Sequence, residues 1–264
     1  MGKKQLENEV RSEKKSGFDK NSNTYIITYS VIMVVIVAAV LAFAALSLQP
    51  KQEANTMNEK KMAILASIGI ESTAENVDAQ YAENITAYAV DARGDVVESI
   101  SADEVLDGLK DLRAFREKAF PVFVSKDGRN IVPVIGKGLW GDIWGYVALD
   151  GRWEKVKGVV FDHKGETPGL GAEITSAKFR SQFEDKRIFD NGQFVSVAVL
   201  KGAGASAGND YAVDAVSGGT ITSRGVQAML RDCLGSYVPY IEKQFAAQLP
   251  SVENNQELNE ESNE

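Results

Sequence analysis

The longest uninterrupted apolar segment of the chain, residues 25–48, limits its fold more than any other feature. No charged residue occurs between Asn21 and Pro50. As a helix rising about 1.5 Å per residue, this segment would cross a hydrocarbon core about 30 Å thick. The alternative is a cleaved signal peptide, whose apolar region is only about 7–15 residues long. The segment therefore predicts a retained membrane anchor, which we assign to residues 24–49.

The charges on either side of the span predict its orientation. Six Lys and Arg residues precede it, and only Lys51, Lys60 and Lys61 follow it closely. Since cytoplasmic flanks are enriched in basic residues, we expect the N-terminus inside the cell and the body outside the cytoplasm. We predict that residues 1–23 form a disordered cytoplasmic segment and that residues 250–264 form a disordered acidic tail.

Composition excludes several classes of function. The chain has 37 acidic and 29 basic residues, a net charge of −8, so nucleic acid is not expected as a partner. It has one Cys and one His, which exclude an internal disulfide framework and a zinc or iron–sulfur site within the chain. No metal is therefore expected, and redox chemistry would need an organic cofactor or a partner.

Residues 50–249 are predicted to form one domain of the α+β class with a largely antiparallel sheet. Helical patterns occur at residues 53–70, 101–120, 176–186 and 223–249, the last broken near Pro239. Short β-branched or aromatic runs predict strands in FPVFVS, IVPVIG, WGYVALD, VKGVVFD and FVSVAVL. A further pair of strands about a glycine turn is predicted in ENITAYAVDARGDVVES.

The segment VDAVSGGTITSRGV, residues 213–226, predicts a turn from a strand to a helix at residues 217–222. Backbone N–H groups at a helix start, together with the positive end of the helix dipole, favour an anion. Gly218 and Gly219 have no side chains that would block its approach. The turn therefore has the features of a phosphate site.

Helix capping is the simpler interpretation of this hydroxyl-rich segment. One capping hydroxyl, from Thr222 or Ser223, would be enough to begin the helix. It leaves Ser217 and Thr220 unexplained, which favours the phosphate site.

Two other glycine-containing segments have weaker signals. GKGLWG, residues 136–141, lacks the helix that a dinucleotide fingerprint requires and predicts a β-turn. Its Trp140 would either pack in the core or stack on a flat ligand. KGAGASAGN, residues 201–209, lacks the ending of a triphosphate-binding loop and predicts a hairpin loop.

The segment DHKGETPGLGAEI, residues 162–174, predicts a tight turn around Pro168. Glu166 and Thr167 place an acceptor and a hydroxyl beside this turn. A polar turn and a ligand site explain these residues equally well. His163 is expected to be a hydrogen-bonded turn residue rather than a catalyst.

These motifs together resemble a known family. DAVSGGT, Asp214 to Thr220, resembles the Asp-x-x-Ser/Thr-Gly-Ala-Thr motif of proteins that carry FMN on a threonine phosphoester, although Gly219 stands where the family usually has Ala. HKGETPGLGAEI and GKGLWG resemble, in order and spacing, the NqrC family of the sodium-translocating NADH:quinone reductase. The single span and the helix ending ILASIGI resemble it as well.

The resemblance implies a covalently bound FMN and roles for individual residues. FMN would be esterified to Thr220 by a separate flavin transferase outside the cytoplasm. The transferase would recognise Asp214, Ser217, Gly218 and Thr220. The isoalloxazine would be lined by Trp140, Glu166, Thr167 and Leu170. The phosphate end would lie at Ser217, Gly218, Gly219 and Thr222.

The resemblance further implies a membrane-anchored electron relay. The chain would be a single-pass subunit of the bacterial inner membrane, with residues 50–249 forming a periplasmic FMN-binding domain. With the other subunits of the complex, it would couple NADH oxidation and quinone reduction to sodium export. Two alternatives remain: the equivalent flavin subunit of an RNF-type ferredoxin:NAD oxidoreductase, and a non-redox, membrane-tethered domain that binds a phosphate ligand.

Overall fold

The computed structural model of the protein describes residues 22–248. Two segments predicted to be disordered lie outside the described residues. They are the acidic tail and the N-terminal segment, except for the last two residues of the latter. The described residues fall into two compact units, one ending at Ala54 and the other beginning at Asn55.

The first helix, α1 (Asn23–Ser67), contains the predicted span, Pro50 and most of the helix predicted at residues 53–70. Among the described residues it is the one helix long and apolar enough to cross a membrane, judged by length and composition alone. Its apolar side chains in the first unit are exposed, and its last turns bury Ile64 and Leu65. The prediction of one N-terminal apolar helix is confirmed.

The second unit is built on a five-stranded sheet in the order β1-β2-β3-β4-β5, in which every pair of neighbours is antiparallel. The strands are β1 (Ile85–Val90), β2 (Phe120–Ser125), β3 (Asn130–Lys137), β4 (Asp142–Leu149) and β5 (Val156–His163). The predicted α+β class and the largely antiparallel sheet are confirmed.

Short helices and strands complete the second unit. The helices are α2 (Val77–Asn84), α3 (Ala102–Gly108), α4 (Leu112–Arg116), α5 (Ala177–Arg180), α6 (Thr220–Gly235) and α7 (Val238–Gln248). Three 3₁₀ turns span Leu109–Asp111, Gly171–Thr175 and Ser181–Phe183. Two small strand pairs are β6 (Phe189–Asp190) with β7 (Gln193–Phe194), antiparallel, and β8 (Ala198–Leu200) with β9 (Ala212–Asp214), parallel.

The sheet separates two hydrophobic cores because successive side chains of a strand point to opposite faces. On β3, Val132 and Val134 belong to the core that contains α6, whereas Ile131 belongs to the other core. The second core also contains the last turns of α1 and Val105 of α3. Burial on both faces explains why β3 and β4 lack the polar alternation of a half-exposed strand.

Two sequence predictions about strands are wrong. The second strand expected in residues 83–99 is a single bridge between Val90 and Val96, because the Asp91 carboxylate accepts backbone N–H bonds from Arg93 and Asp95 and closes a turn. The strand expected in FVSVAVL is interrupted at Ser196, which has a φ of 62°.

The helix predictions are confirmed only in part. The helix predicted at residues 101–120 is divided into α3, a 3₁₀ turn and α4, and the helix predicted at residues 176–186 is the four-residue α5 followed by a 3₁₀ turn. Ser101 caps α3 with a capping box formed with Glu104. The helix expected at residues 223–249 is broken before Pro239 into α6 and α7. However, α6 begins at Thr220, three residues earlier than expected.

Candidate functional site

The hydroxyl-rich segment forms a turn that leads directly into α6. Gly219 is the N-cap, with a φ of −105° and no side-chain capping bond, and Thr220 is the first helical residue. The expected capping by Thr222 or Ser223 is wrong. Both side chains are used for longer-range contacts instead, since Thr222 Oγ1 donates to Glu166 and Ser223 Oγ accepts from the backbone N–H of Val216.

The structure separates the hydroxyls of this segment into two kinds. Thr222 and Ser223 are each 1% exposed and hydrogen-bonded within the protein. Ser217 is exposed and Thr220 is half-buried, and within residues 22–248 neither hydroxyl has a protein hydrogen-bond partner. Only Ser217 and Thr220 are therefore open to reaction with an incoming group.

The two glycines before Thr220 are held close to Leu170. Gly218 has a φ of 73°, and a Cβ there would lie 2.5 Å from Leu170 Cδ2. A Cβ at Gly219 would lie 3.1 Å from Val216 Cγ1 and 3.2 Å from the Leu170 carbonyl oxygen. The turn is therefore closely packed around both glycines.

Glu166 is 4% exposed, and both of its carboxylate oxygens are hydrogen-bonded within the protein. Oε1 accepts from the backbone N–H of Trp140 at 2.9 Å, and Oε2 accepts from Thr222 Oγ1 at 2.6 Å. Burial by itself raises the pKa of Glu166. The hydrogen bonds outweigh burial and hold that pKa below its usual value, so the carboxylate is ionised at neutral pH.

Trp140 projects from the turn that connects β3 to β4, which confirms the β-turn predicted for GKGLWG. Its side chain is 70% exposed, so the core-packing interpretation is wrong. The second unit exposes large apolar side chains at six described positions: Val96, Leu139, Trp140, Leu170, Val195 and Ile221. Four of the six belong to the Trp140 turn, the Leu170 segment or the start of α6. The Glu166 hydrogen bonds join the Trp140 turn to α6, and Leu170 lies against Gly218.

Thr220 also lies on the lining of a cavity of about 530 Å³. Its lining includes Thr220, Ser217, Gly218 and two lysines, Lys178 and Lys201. The volume falls within the range of about 300–1,000 Å³ that is usual for small-molecule sites. The sequence analysis missed both lysines, because they lie outside the motifs and are brought to Thr220 only by the fold.

Asp214 anchors one wall of this cavity. Its carboxylate accepts backbone N–H bonds from Ser206 and Gly204, and these bonds hold the pKa of Asp214 below its usual value. The loop 201–209 is thereby tied to the strand that leads into the site. Because this loop joins the parallel pair β8 and β9, the hairpin predicted for it is wrong.

The remaining sequence candidates are placed as follows. Thr167 is exposed, and its carbonyl oxygen closes the turn by accepting the N–H groups of Leu170 and Ala172. His163 Nδ1 accepts the backbone N–H of Glu166, as expected of a turn residue. The single cysteine of the chain, Cys233, is not one of these candidates and is buried in the core. In the described part of the chain, His, Cys, Asp and Glu residues form no cluster able to hold a metal ion.

The comparisons with known proteins first define a class. Residues 138–235 match the family model of the FMN-binding domain, which covers the Trp140 turn, the Glu166 segment and all of α6. Similarity extends well beyond this domain. The C subunits of two Na(+)-translocating NADH-quinone reductases are each 31% identical to the chain. That of Vibrio parahaemolyticus serotype O3:K6 (strain RIMD 2210633) aligns over 77% of this chain and 88% of its own length, and that of Haemophilus ducreyi (strain 35000HP / ATCC 700724) over 86% and 96%.

Two solved structures are similar to about three quarters of the chain. The crystal structure of the Na(+)-translocating NADH-quinone reductase C subunit from Parabacteroides distasonis ATCC 8503 has 39% identity and a TM-score of 0.66, covering 74% of this chain and 96% of that one. The structure of Shewanella oneidensis NqrC has 29% identity and a TM-score of 0.64, covering 74% and 99%. The chain belongs to the NqrC family, the C subunits of Na(+)-translocating NADH-quinone reductases.

The described residues fit an FMN. A cavity of ligand size opens beside an accessible threonine hydroxyl, and two lysines on its lining would balance a phosphate charge. An exposed Trp and Leu provide an apolar surface for a flat aromatic group. At Gly218, the absence of a side chain lets the backbone approach Leu170 closely.

Proposed function

We propose that Thr220 carries FMN through a phosphoester bond and that the chain relays electrons within a sodium-pumping NADH:quinone reductase. One observation supports the attachment most strongly. Thr220 combines an accessible hydroxyl, the first position of a 16-residue helix and a place on the lining of the cavity. Thr222, in the same segment, is buried and committed to Glu166.

The phosphate end of the cofactor would be held at the start of α6. Backbone N–H groups in the first turn of a helix are unpaired and carry partial positive charge, which favours an anion. Lys178 and Lys201 would add full positive charges from the cavity side. Ser217 and the two glycines would shape the turn around this group, and Thr222 would hold the turn through Glu166.

The flavin ring would be contacted by Trp140, Thr167 and Leu170, which are all exposed. When bound, FMN supplies reversible transfer of one or two electrons. The task of the protein residues is to orient the ring, to limit its contact with water and to tune its potential. Because these side chains leave much of the site open, another protein of the complex would be able to approach the cofactor for electron transfer.

The sequence analysis supports the remaining parts of the proposal. As a family member, the chain is a subunit of an oxidoreductase complex, and the other subunits of that complex are its partners. Membership of this family favours the proposed function over the RNF-type alternative. Residues 24–49 would anchor it in the bacterial inner membrane, with residues 1–23 cytoplasmic, residues 50–249 periplasmic and residues 250–264 a disordered tail.

Maturation would require a flavin transferase that recognises the turn before α6. The proposed recognition residues are Asp214, Ser217, Gly218 and Thr220. Of these, Ser217 and Gly218 are exposed, whereas Asp214 is partly buried and engaged with the loop 201–209. We therefore expect Asp214 to act by holding the shape of the recognised surface.

Covalent attachment is tested by in-gel flavin fluorescence after denaturing electrophoresis of the full chain co-produced with its flavin transferase. We expect a fluorescent band for the wild type and for Thr220→Ser, and none for Thr220→Ala. Ser99→Ala is the control, because Ser99 has an exposed hydroxyl far from the turn in the sequence, and its band should equal that of the wild type. A band that persists in Thr220→Ala, or that is lost equally in Ser99→Ala, would contradict the assignment.

A further inference from the structure

The Glu166 carboxylate connects segments that are far apart in the sequence. Through Oε1 it holds the Trp140 turn, because this oxygen accepts the backbone N–H of Trp140. Through Oε2 it holds Thr222, in the first turn of α6. Trp140 and Thr222 are 26 and 56 residues from Glu166, so no local element brings the three together.

The backbone packs closely against this carboxylate at two glycines. A Cβ at Gly138 would lie 2.4 Å from Oε1, and a Cβ at Gly171 would lie 2.4 Å from Oε2 and 2.5 Å from Thr222 Oγ1. Real Cβ atoms essentially never come this close. The two glycines therefore allow the backbone to close around a carboxylate that is 4% exposed.

We infer that Glu166 is a positioning residue that fixes the Trp140 turn against the first turn of α6, and does not itself contact the flavin. Trp140 and Thr220 are held in a constant relationship because one carboxylate binds both of their segments. This differs from the role implied by the family resemblance, in which Glu166 lines the isoalloxazine. We call the hydrogen bonds of Glu166 to the Trp140 turn and to Thr222 the Glu166 clamp. The clamp itself is argued from these hydrogen bonds alone, whereas its effect on the cofactor rests on the proposed function.

The clamp predicts a specific loss of protection at the Trp140 turn. The amide of Trp140 is shielded from exchange by its bond to a charged acceptor, so removing the carboxylate should expose it. The test is hydrogen–deuterium exchange mass spectrometry of the full-length, flavin-free chain in detergent. Glu166→Ala should raise exchange at residues 139–141 by about tenfold or more and leave β4 unchanged.

Two further variants make this result decisive. Glu166→Gln keeps the size of the side chain and a neutral acceptor, so it should fold and raise exchange by a smaller factor, about threefold. Glu184→Gln is the control because Glu184 is exposed and distant in the sequence, and it should change nothing at residues 139–141. Unchanged exchange in Glu166→Gln would overturn the inference even if Glu166→Ala does not fold.

The flavin-loaded protein separates positioning from direct contact. Glu166→Gln should shift the flavin absorption spectrum and midpoint potential when Trp140 is present, and should add no further shift in the Trp140→Ala background. An equal shift in both backgrounds would show that Glu166 acts on the flavin directly and would overturn the inference. A chain that carries no flavin would contradict the proposed function only, because the exchange experiment requires no cofactor.

Discussion

Adding one methyl group at Gly171 should destabilise the second unit through the Glu166 network. In Gly171→Ala the new Cβ would lie 2.4 Å from Glu166 Oε2 and 2.5 Å from Thr222 Oγ1, about 1 Å inside ordinary contact distance. Both residues are buried, and Thr222 Oγ1 donates a hydrogen bond to Glu166 Oε2. Moving either oxygen away from the new methyl group would therefore weaken this bond.

The size of the effect follows from overpacking. Forcing a methyl group into a filled site lowers the free energy of unfolding by about 1–3 kcal/mol. Because the new methyl group would overlap two buried, hydrogen-bonded oxygens, we expect Gly171→Ala to lie near the upper end, at about 3 kcal/mol. For a domain of about 200 residues, 1 kcal/mol shifts the melting temperature by roughly 2–4 °C. We therefore expect a decrease of about 6–12 °C.

The assay is thermal unfolding of the full chain in detergent, followed by tryptophan fluorescence. Gly165→Ala is the matched control, because Gly165 lies in the same segment and a Cβ there would meet no atom within 4 Å. Its melting temperature should stay within about 3 °C of the wild type. If Gly171→Ala melts together with Gly165→Ala, the packing argument for the Glu166 network is refuted.

Three other predictions concern the surroundings of Thr220. Trp140→Ala should change the unfolding free energy by no more than about 0.5 kcal/mol, since the side chain is 70% exposed, but should shift the absorption spectrum of the bound flavin; an unchanged spectrum would remove Trp140 from the site. Gly219→Ala should lower the free energy of unfolding by about 1 kcal/mol, because alanine is a poorer N-cap than glycine and its methyl group would crowd Val216. The in-gel flavin band of this variant should persist. The backbone hydrogen bonds to Asp214 lower its pKa in the folded protein. The stability that the ionised carboxylate contributes to the fold is therefore complete above the unfolded pKa of about 3.9, and it is lost as the pH falls through the folded pKa. Asp214→Asn should therefore weaken the acid dependence of unfolding and increase hydrogen exchange in the loop 201–209 at neutral pH; wild-type exchange in that loop would argue against the role of Asp214.

The features predicted correctly from the sequence are those fixed by local rules. The apolar run of α1, the Ser101 capping box and the turn carrying Trp140 depend on residues within a few positions of one another. The central strands β3 and β4 were recognisable because both of their faces are buried, which selects β-branched and aromatic residues.

The features that the sequence analysis missed depend on distant partners. Nothing within a few residues of Glu166 indicates that its oxygens bind Trp140 and Thr222. The parallel pairing of β8 and β9 is likewise set across a loop whose glycines are typical of a hairpin, and its anchoring by Asp214 has no local signal. The start of α6 was misplaced because the hydroxyls at 222 and 223 look like caps locally but are used by more distant groups.

The covalent bond at Thr220 is tested most directly by mass spectrometry of the tryptic peptide 202–224, from protein purified from native membranes. We predict that this peptide carries the added mass of FMN less one water, and that fragmentation localises the addition to Thr220 rather than Ser217. A peptide with only the mass of its amino acids, or with the addition on another residue, would contradict the account.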